Sequence, residues 1–233
     1  MNIMVGIVSG VSTVMLPRMS SLISQGRKDE SDNLFKLSLE GTVLAGTACA
    51  FGIAAIANEF EPIFFGPGYD KCILLTIVLA PVLIIKSFSI TARYQYLIPH
   101  HKEKDFIASV IVGALVNLIV NYLLIPKLGA MGAVIGTLMA EAVASLVQFF
   151  AIRKMVSLRV TLLRCLVYMG FGTIMFFGVR AVALIKLVVY VKIFIEVLSG
   201  AVLFSALCFL YWKITGNNIW ENMFSGMLKK LKH

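Results

Sequence analysis

Residues 106–126 read FIASVIVGALVNLIVNYLLIP and residues 128–151 read LGAMGAVIGTLMAEAVASLVQFFA, with the single Lys127 between them. A helix needs about 20 apolar residues to cross the bilayer core, so each run is long enough for one crossing. The runs are continuous rather than alternating, which excludes a β-barrel. Four more stretches of this kind lie at 37–58, 72–92, 162–183 and 187–212. A seventh, 1–17, is apolar but short and ends at Pro17-Arg18. It has neither a basic leading region nor a small-residue cleavage site, so it reads as a spanning helix without its beginning rather than a signal peptide. The expected fold is all-α: a polytopic transmembrane helix bundle with six full spans plus a truncated N-terminal span.

Composition agrees. The 233 residues are 59% hydrophobic and 14% charged, with a mean hydropathy of +0.91. Soluble domains run at about 45–50% apolar and about 25% charged. A soluble enzyme, a disordered chain and a disulfide scaffold are thereby excluded. The net charge of +9 has a topological explanation. One set of alternate connections holds Arg18, Arg27, Lys28, Lys36, Arg93, Lys102, Lys104, Arg153, Lys154, Arg159, Arg164, Lys213, Lys229, Lys230 and Lys232. The other set holds Lys71, Lys127, Arg180, Lys186 and Lys192, and Lys86 lies within a span. Basic residues collect in cytoplasmic loops, so the C-terminus is expected to be cytoplasmic and Met1 to face outward. No nucleic-acid motif accompanies the basic loops. In the tail 213–233, Ile219, Trp220, Met223, Phe224, Met227, Leu228 and Leu231 recur at helical spacing among lysines, which suits a short helix on the inner leaflet, the alternative being a frayed, solvated tail.

Catalysis and metal binding find no support. Cys49, Cys72, Cys165 and Cys208 fall in or beside spans without metal-ligand spacing and read as small apolar packers. His100 and His101 sit in a cytoplasmic loop, where a surface role outweighs a metal site. No nucleophile–base set can be assembled, and no P-loop is present, so no cofactor is expected.

The polar groups inside the spans are the candidates for function, because ionisable residues in lipid usually face the bundle interior or a water-filled path. Glu141 lies near the middle of 128–151. Lys86 and Arg93 are seven residues apart with Ser89 between them, a positive stripe on one helix face opening to the cytoplasm. Asn117 and Asn121 are spaced i,i+4 with Gly113 one turn earlier, a face that either packs on a neighbour or lines an aqueous cavity. Gly132, Gly136 and Ala140 form a small-residue packing seam. Lys192 and Glu196, also i,i+4, are expected to pair with each other. Arg180 and Glu40 lie near helix ends and are expected to snorkel outward.

Several of these residues belong to a wider pattern. Val14-Met15-Leu16-Pro17-Arg18-Met19-Ser20 is followed by Gly26, then by Phe65-Gly66-Pro67-Gly68-Tyr69. Asn117 to Ala133, NLIVNYLLIPKLGAMGA, comes next, and Glu141 follows. In this order and spacing they resemble the bacterial polysaccharide repeat-unit flippases of the O-antigen and capsule type. That family shares a superfamily with lipid II flippases and multidrug exporters. The resemblance covers most of 1–155, while 162–212 is similar only in being hydrophobic. Three parts are expected: a partial C-terminal lobe at 1–155, two additional helices at 156–212 and a basic amphipathic tail at 213–233.

The resemblance implies a lipid-linked oligosaccharide, carried on undecaprenyl pyrophosphate, moved from the inner to the outer leaflet of the bacterial cytoplasmic membrane. It implies two lobes of six helices around a cationic cavity, and therefore a chain that begins inside the eighth helix and lacks its N-terminal lobe. Arg18 matches the motif arginine. Lys86, Arg93, Asn117, Asn121 and Glu141 become substrate-path candidates. Membrane lipids and the missing lobe or polysaccharide-assembly proteins are the implied partners. The rival readings are a multidrug exporter of the same superfamily, a membrane-bound enzyme such as a sugar polymerase or acyltransferase, and a non-transporting membrane fragment.

Overall fold

A computed structural model describes residues 2–66, 68–154, 158–185 and 188–215. Eight α-helices and one π turn account for nearly all of them, with no strand among the described residues. In order these are α1 (Asn2–Ser24), α2 (Lys28–Phe65), α3 (Asp70–Leu79), α4 (Val82–Ala92), the π turn Arg93–Leu97, α5 (Glu103–Leu128), α6 (Ala130–Ile152), α7 (Leu158–Val182) and α8 (Val189–Thr215). Among the described residues six helices are long and apolar enough to cross a membrane, and the bent pair α3–α4 passes the same test when taken together as one broken span. The chain is a multi-span helical membrane protein, as its hydrophobic pattern predicts.

Two boundaries differ from expectation. The span 72–92 is not one straight helix: α3 and α4 meet at Ala80-Pro81 with a bend of 41°. Pro81 has no N–H to donate and its ring crowds the preceding turn, which breaks the ladder there. The helix then continues past 92 through the π turn. The segment 18–36, read as a connecting loop, is mostly helical. α1 runs through Pro17 to Ser24, and α2 starts at Lys28 after a turn in which Gly26 adopts φ +74°. Of the tail 213–233, residues 216–233 lie outside the described residues, as does the side chain of Arg159.

α2 is the central element. Its 38 residues span about 57 Å at 1.5 Å per residue, and it packs against α1, α3, α4, α7 and α8. One apolar cluster joins Phe35, Leu39 and Val43 of α2 to Met19 of α1, to Ala92, Tyr96 and Leu97 around the π turn, and to Ile152 of α6. A second joins Ala55 to Met175 and Val179 of α7 and to Phe204 and Cys208 of α8. Gly46 lets α2 approach α4: a β-carbon there would lie 2.8 Å from the Ser87 β-carbon and 3.0 Å from the Leu83 carbonyl oxygen. Thr42 and Thr91 share a buried hydrogen bond of 2.8 Å between the same elements.

α5 packs chiefly on α6. The Gly132–Gly136–Ala140 seam does what small-residue seams do, bringing two backbones together. A β-carbon on Gly132 would sit 2.6 Å from the Leu124 carbonyl carbon and oxygen, and one on Gly136 would overlap the Asn121 amide. Gly113 reciprocates from α5, 3.2 Å from the Ala140 carbonyl oxygen by the same measure.

α7 and α8 pair with each other and lean on α2. Two charge clusters hold them. Towards the N-terminal end of α7, Arg164 and Tyr168 both donate to the Glu40 carboxylate, Tyr168 at 2.5 Å. Towards its C-terminal end, Arg180 reaches Glu59 at 3.3 Å, and Lys192 of α8 reaches the same carboxylate at 3.1 Å. These contacts correct three expectations. Glu40 and Arg180 do not snorkel but make cross-helix ion pairs, and Lys192 bonds to Glu59 rather than to Glu196. A cross-helix partner satisfies the charge and joins two helices at once, so tertiary pairing overrides the local i,i+4 option.

Candidate substrate cavity

Between α1, α4, α5 and α6 lies a cavity of about 460 Å³. α4 delivers Lys86 and Ser89 to it, and the π turn delivers Arg93. The stripe read from the seven-residue spacing therefore faces one space. α6 contributes Glu141, Thr137 and Gln148, α5 contributes Asn117 and Gly113, and α1 contributes Ser9. The polar set carries two cations and one carboxylate, and apolar groups such as Val5, Ile90 and Val110 form the remaining wall.

Lys86 Nζ and Glu141 Oε1 are 2.8 Å apart, joining α4 to α6. Their side chains are 33% and 29% exposed, so the pair faces the cavity rather than being sealed in protein. Among the described residues Arg93 has no carboxylate partner. Its guanidinium lies 4.6 Å from the Tyr94 ring centre and 5.0 Å from that of Phe106, and its Nε is buried without a hydrogen-bond acceptor among the described residues. Cation–π contact retains the positive charge while orienting the group. Lys86 is neutralised locally by Glu141, so the net positive charge of the cavity rests on Arg93.

Neighbouring hydrogen bonds fix this wall. Ser89 and Ser145 are 2.6 Å apart across α4 and α6. Gln148 Nε2 donates to Ser109 Oγ at 3.0 Å, tying α6 to α5. The π turn inserts one residue beyond α-helical spacing, a device frequent at functional sites because it re-aims a side chain.

The other sequence candidates fall elsewhere. Asn117 borders the cavity, but Asn121 does not: its Nδ2 donates to Asn117 Oδ1 at 2.9 Å and its amide fills the gap over Gly136. The two alternatives left open for this face thus divide between the two residues. Arg18 is exposed on α1 and is not among the cavity residues. Gln148 and Thr137 were missed. Gln148 had a usable signal, an amide inside an apolar span; Thr137 is masked because its hydroxyl donates to the Ala133 carbonyl at 2.9 Å like any helical threonine. Among the described residues no group of three or more histidine, cysteine, aspartate or glutamate side chains could hold a metal.

The fold is thus a membrane helix bundle with one bent span bordering a polar cavity, and comparison with known proteins shows what it is similar to. The solved structure of "Lipid II flippase MurJ, inward closed conformation" superposes with a TM-score of 0.71 at 16% identity, covering 90% of this chain and 45% of that one. In sequence, the "Putative O-antigen transporter" of Escherichia coli (strain K12) is 25% identical over 153 residues, 66% of this chain and 37% of its own length. The "Probable low-salt glycan biosynthesis flippase" of Haloferax volcanii is 21% identical over 215 residues, 88% of this chain and 43% of its own length. No family model matches. The relatives bear out the resemblance to the polysaccharide and lipid-linked glycan flippase family, and the chain spans less than half the length of the proteins it matches.

Proposed function

We propose that this chain forms one lobe of a flippase that moves an oligosaccharide carried on undecaprenyl pyrophosphate across the bacterial cytoplasmic membrane, with its C-terminus in the cytoplasm. The observation that carries the reading is the cavity in which Lys86, Ser89, Arg93, Asn117 and Glu141 converge within an apolar bundle. In this reading Arg93 attracts the pyrophosphate and acidic sugars. Guanidinium binds phosphate oxygens in a planar, bidentate manner and stays charged. Lys86 is released from Glu141 when a stronger anion arrives, and Glu141 is then free to take up a proton or a cation, which links head-group entry to an ion gradient. The lipid tail stays in the bilayer, and no covalent bond is made or broken. The chain is thus a transporter part rather than an enzyme.

The division of labour follows from the packing. Residues 1–155 are proposed to supply the cavity, and 156–212 a helix pair braced on α2 through Glu40 and Glu59. The relatives' greater length supports a second lobe facing α1 and α5 across the cavity. Arg18, exposed and remote from the cavity residues, is proposed as a contact for that lobe or for head groups at the cytoplasmic surface. The test is surface polysaccharide output in cells whose full-length protein carries Lys86→Ala or Arg93→Ala. Output should fall by roughly tenfold or more, equivalent to about 1.4 kcal/mol of lost head-group interaction. Undiminished output from both variants refutes the assignment of this cavity.

A further inference from the structure

Glu196 of α8 is completely buried, and neither carboxylate oxygen has a hydrogen-bond partner among the described residues. It borders a second, largely apolar cavity of about 380 Å³ between α2, α7 and α8, whose lining includes Met175, Val179 and Phe204 and, as its other polar side chains, Cys49 and Ser205. Neither Cys49 nor Ser205 hydrogen-bonds to the carboxylate. An ionised carboxylate here is uncompensated, whereas a protonated one is nearly an apolar group. The charged groups whose fields reach it are Glu59 from α2, Arg180 from α7 and Lys192 from its own helix. Arg180 and Lys192 are both committed to Glu59. Yet Lys192 precedes Glu196 by four residues, one helical turn of about 6 Å, so a rotation of its long side chain brings it from one carboxylate to the other.

We propose that Glu196 is a proton-binding site and that Lys192 alternates between Glu59 and Glu196 according to whether that proton is bound. With the proton on, Lys192 holds Glu59, as in the structure, and the cluster of Glu59, Arg180, Lys192 and Glu196 carries one net positive charge. When the proton leaves to water, Lys192 swings one turn forward along α8 to the Glu196 carboxylate. Glu59 is left to Arg180 alone, and the ion pair between α8 and α2 opens. The cluster is then neutral. Proton binding thus controls how firmly the helix pair α7–α8 is braced on α2, at a site separate from the Lys86–Glu141 cavity.

The experiment is infrared spectroscopy of the full chain in phosphatidylethanolamine–phosphatidylglycerol vesicles, following the carbonyl stretch of protonated carboxyl groups. Wild type should show such a band at neutral pH and lose it on alkaline titration. Glu196→Gln should remove the band. Glu59→Gln should also remove it at neutral pH, because the freed Lys192 moves to Glu196 and displaces the proton. Lys192→Met should keep the band through the titration that empties it in wild type. A wild-type spectrum without the band, or a band that survives in Glu196→Gln, overturns the proton site. A band unchanged in Glu59→Gln overturns the shared lysine, and because this variant leaves Glu196 in place it remains informative if Glu196→Gln fails to fold.

Discussion

Lys86 on α4 and Glu141 on α6 form an ion pair of 2.8 Å across the wall of the main cavity. Fifty-five positions separate them in the chain, so the contact is a tertiary one, made where α4 packs on α6. Partly exposed pairs are worth about 0.2–1 kcal/mol, which makes this contact easy to break and re-form. Exchanging the two charges should therefore preserve the fold while misplacing the cation. Lys86→Glu combined with Glu141→Lys is expected to regain most of the thermal stability lost in either single variant, read by melting in detergent. Surface polysaccharide output should stay low in all three. Output restored to wild type in the double variant would show that only the pairing matters.

Pro81 sets the angle between α3 and α4, and its removal should be visible as geometry. Pro81→Ala restores a helical N–H and removes the ring clash, a change worth up to about 3 kcal/mol in favour of straight helix. Spin labels at Leu74 on α3 and Leu118 on α5, both exposed, should move apart or together by several ångströms relative to the parent, with output reduced. An unchanged distance distribution means that packing, not proline, imposes the 41° bend.

Gly132 has backbone on its far side and cannot accept a larger residue. Gly132→Val should cost about 1–3 kcal/mol through forced separation of α5 from α6, read as lower melting temperature and faster proteolysis. Gly170 has nothing within 4 Å of where a β-carbon would lie, so Gly170→Ala should leave both unchanged and serves as the control.

Arg164 and Tyr168 hold α7 to α2 through Glu40, whose side chain is only 8% exposed. Arg164→Ala leaves that carboxylate with the phenol alone. Breaking a fully buried ion pair costs about 3–5 kcal/mol; Arg164 is itself 37% exposed, so about 1–3 kcal/mol is expected here. Hydrogen exchange should rise in α7 and α8 while α5 and α6 keep their protection. Uniform loosening of all helices would show that the clamp is not local.

The spans were legible from sequence because each run of about 20 apolar residues meets a length requirement that soluble helices do not share. Lys86, Ser89, Arg93, Asn117 and Glu141 were legible for the complementary reason: a polar group in lipid must have a purpose. Neighbour relations were not legible. Periodicity says which face of a helix is polar but not which helix meets it, so Lys192 reads as the partner of Glu196 until α2 brings Glu59 alongside. Proline was ambiguous for a similar reason. Pro17 lies inside α1 without ending it, whereas Pro81 breaks the helix. Arg18 shows the limit of a motif: its sequence context is recognisable, yet its side chain lies away from the cavity.

Glu40 and Glu59 sit nineteen residues apart on α2, about 28 Å along the axis, close to the ~30 Å thickness of the hydrocarbon layer. Each is tethered to an arginine of α7. The helix is thus a ruler, with a charged mark near each membrane boundary and a strut fastened at both marks. A bilayer thinner than this spacing must either tilt α2 or draw one mark into the acyl region, and a thicker one must thin around it. Lipid thickness thereby acts on the tilt of α2, and through α2 on every helix that leans against it.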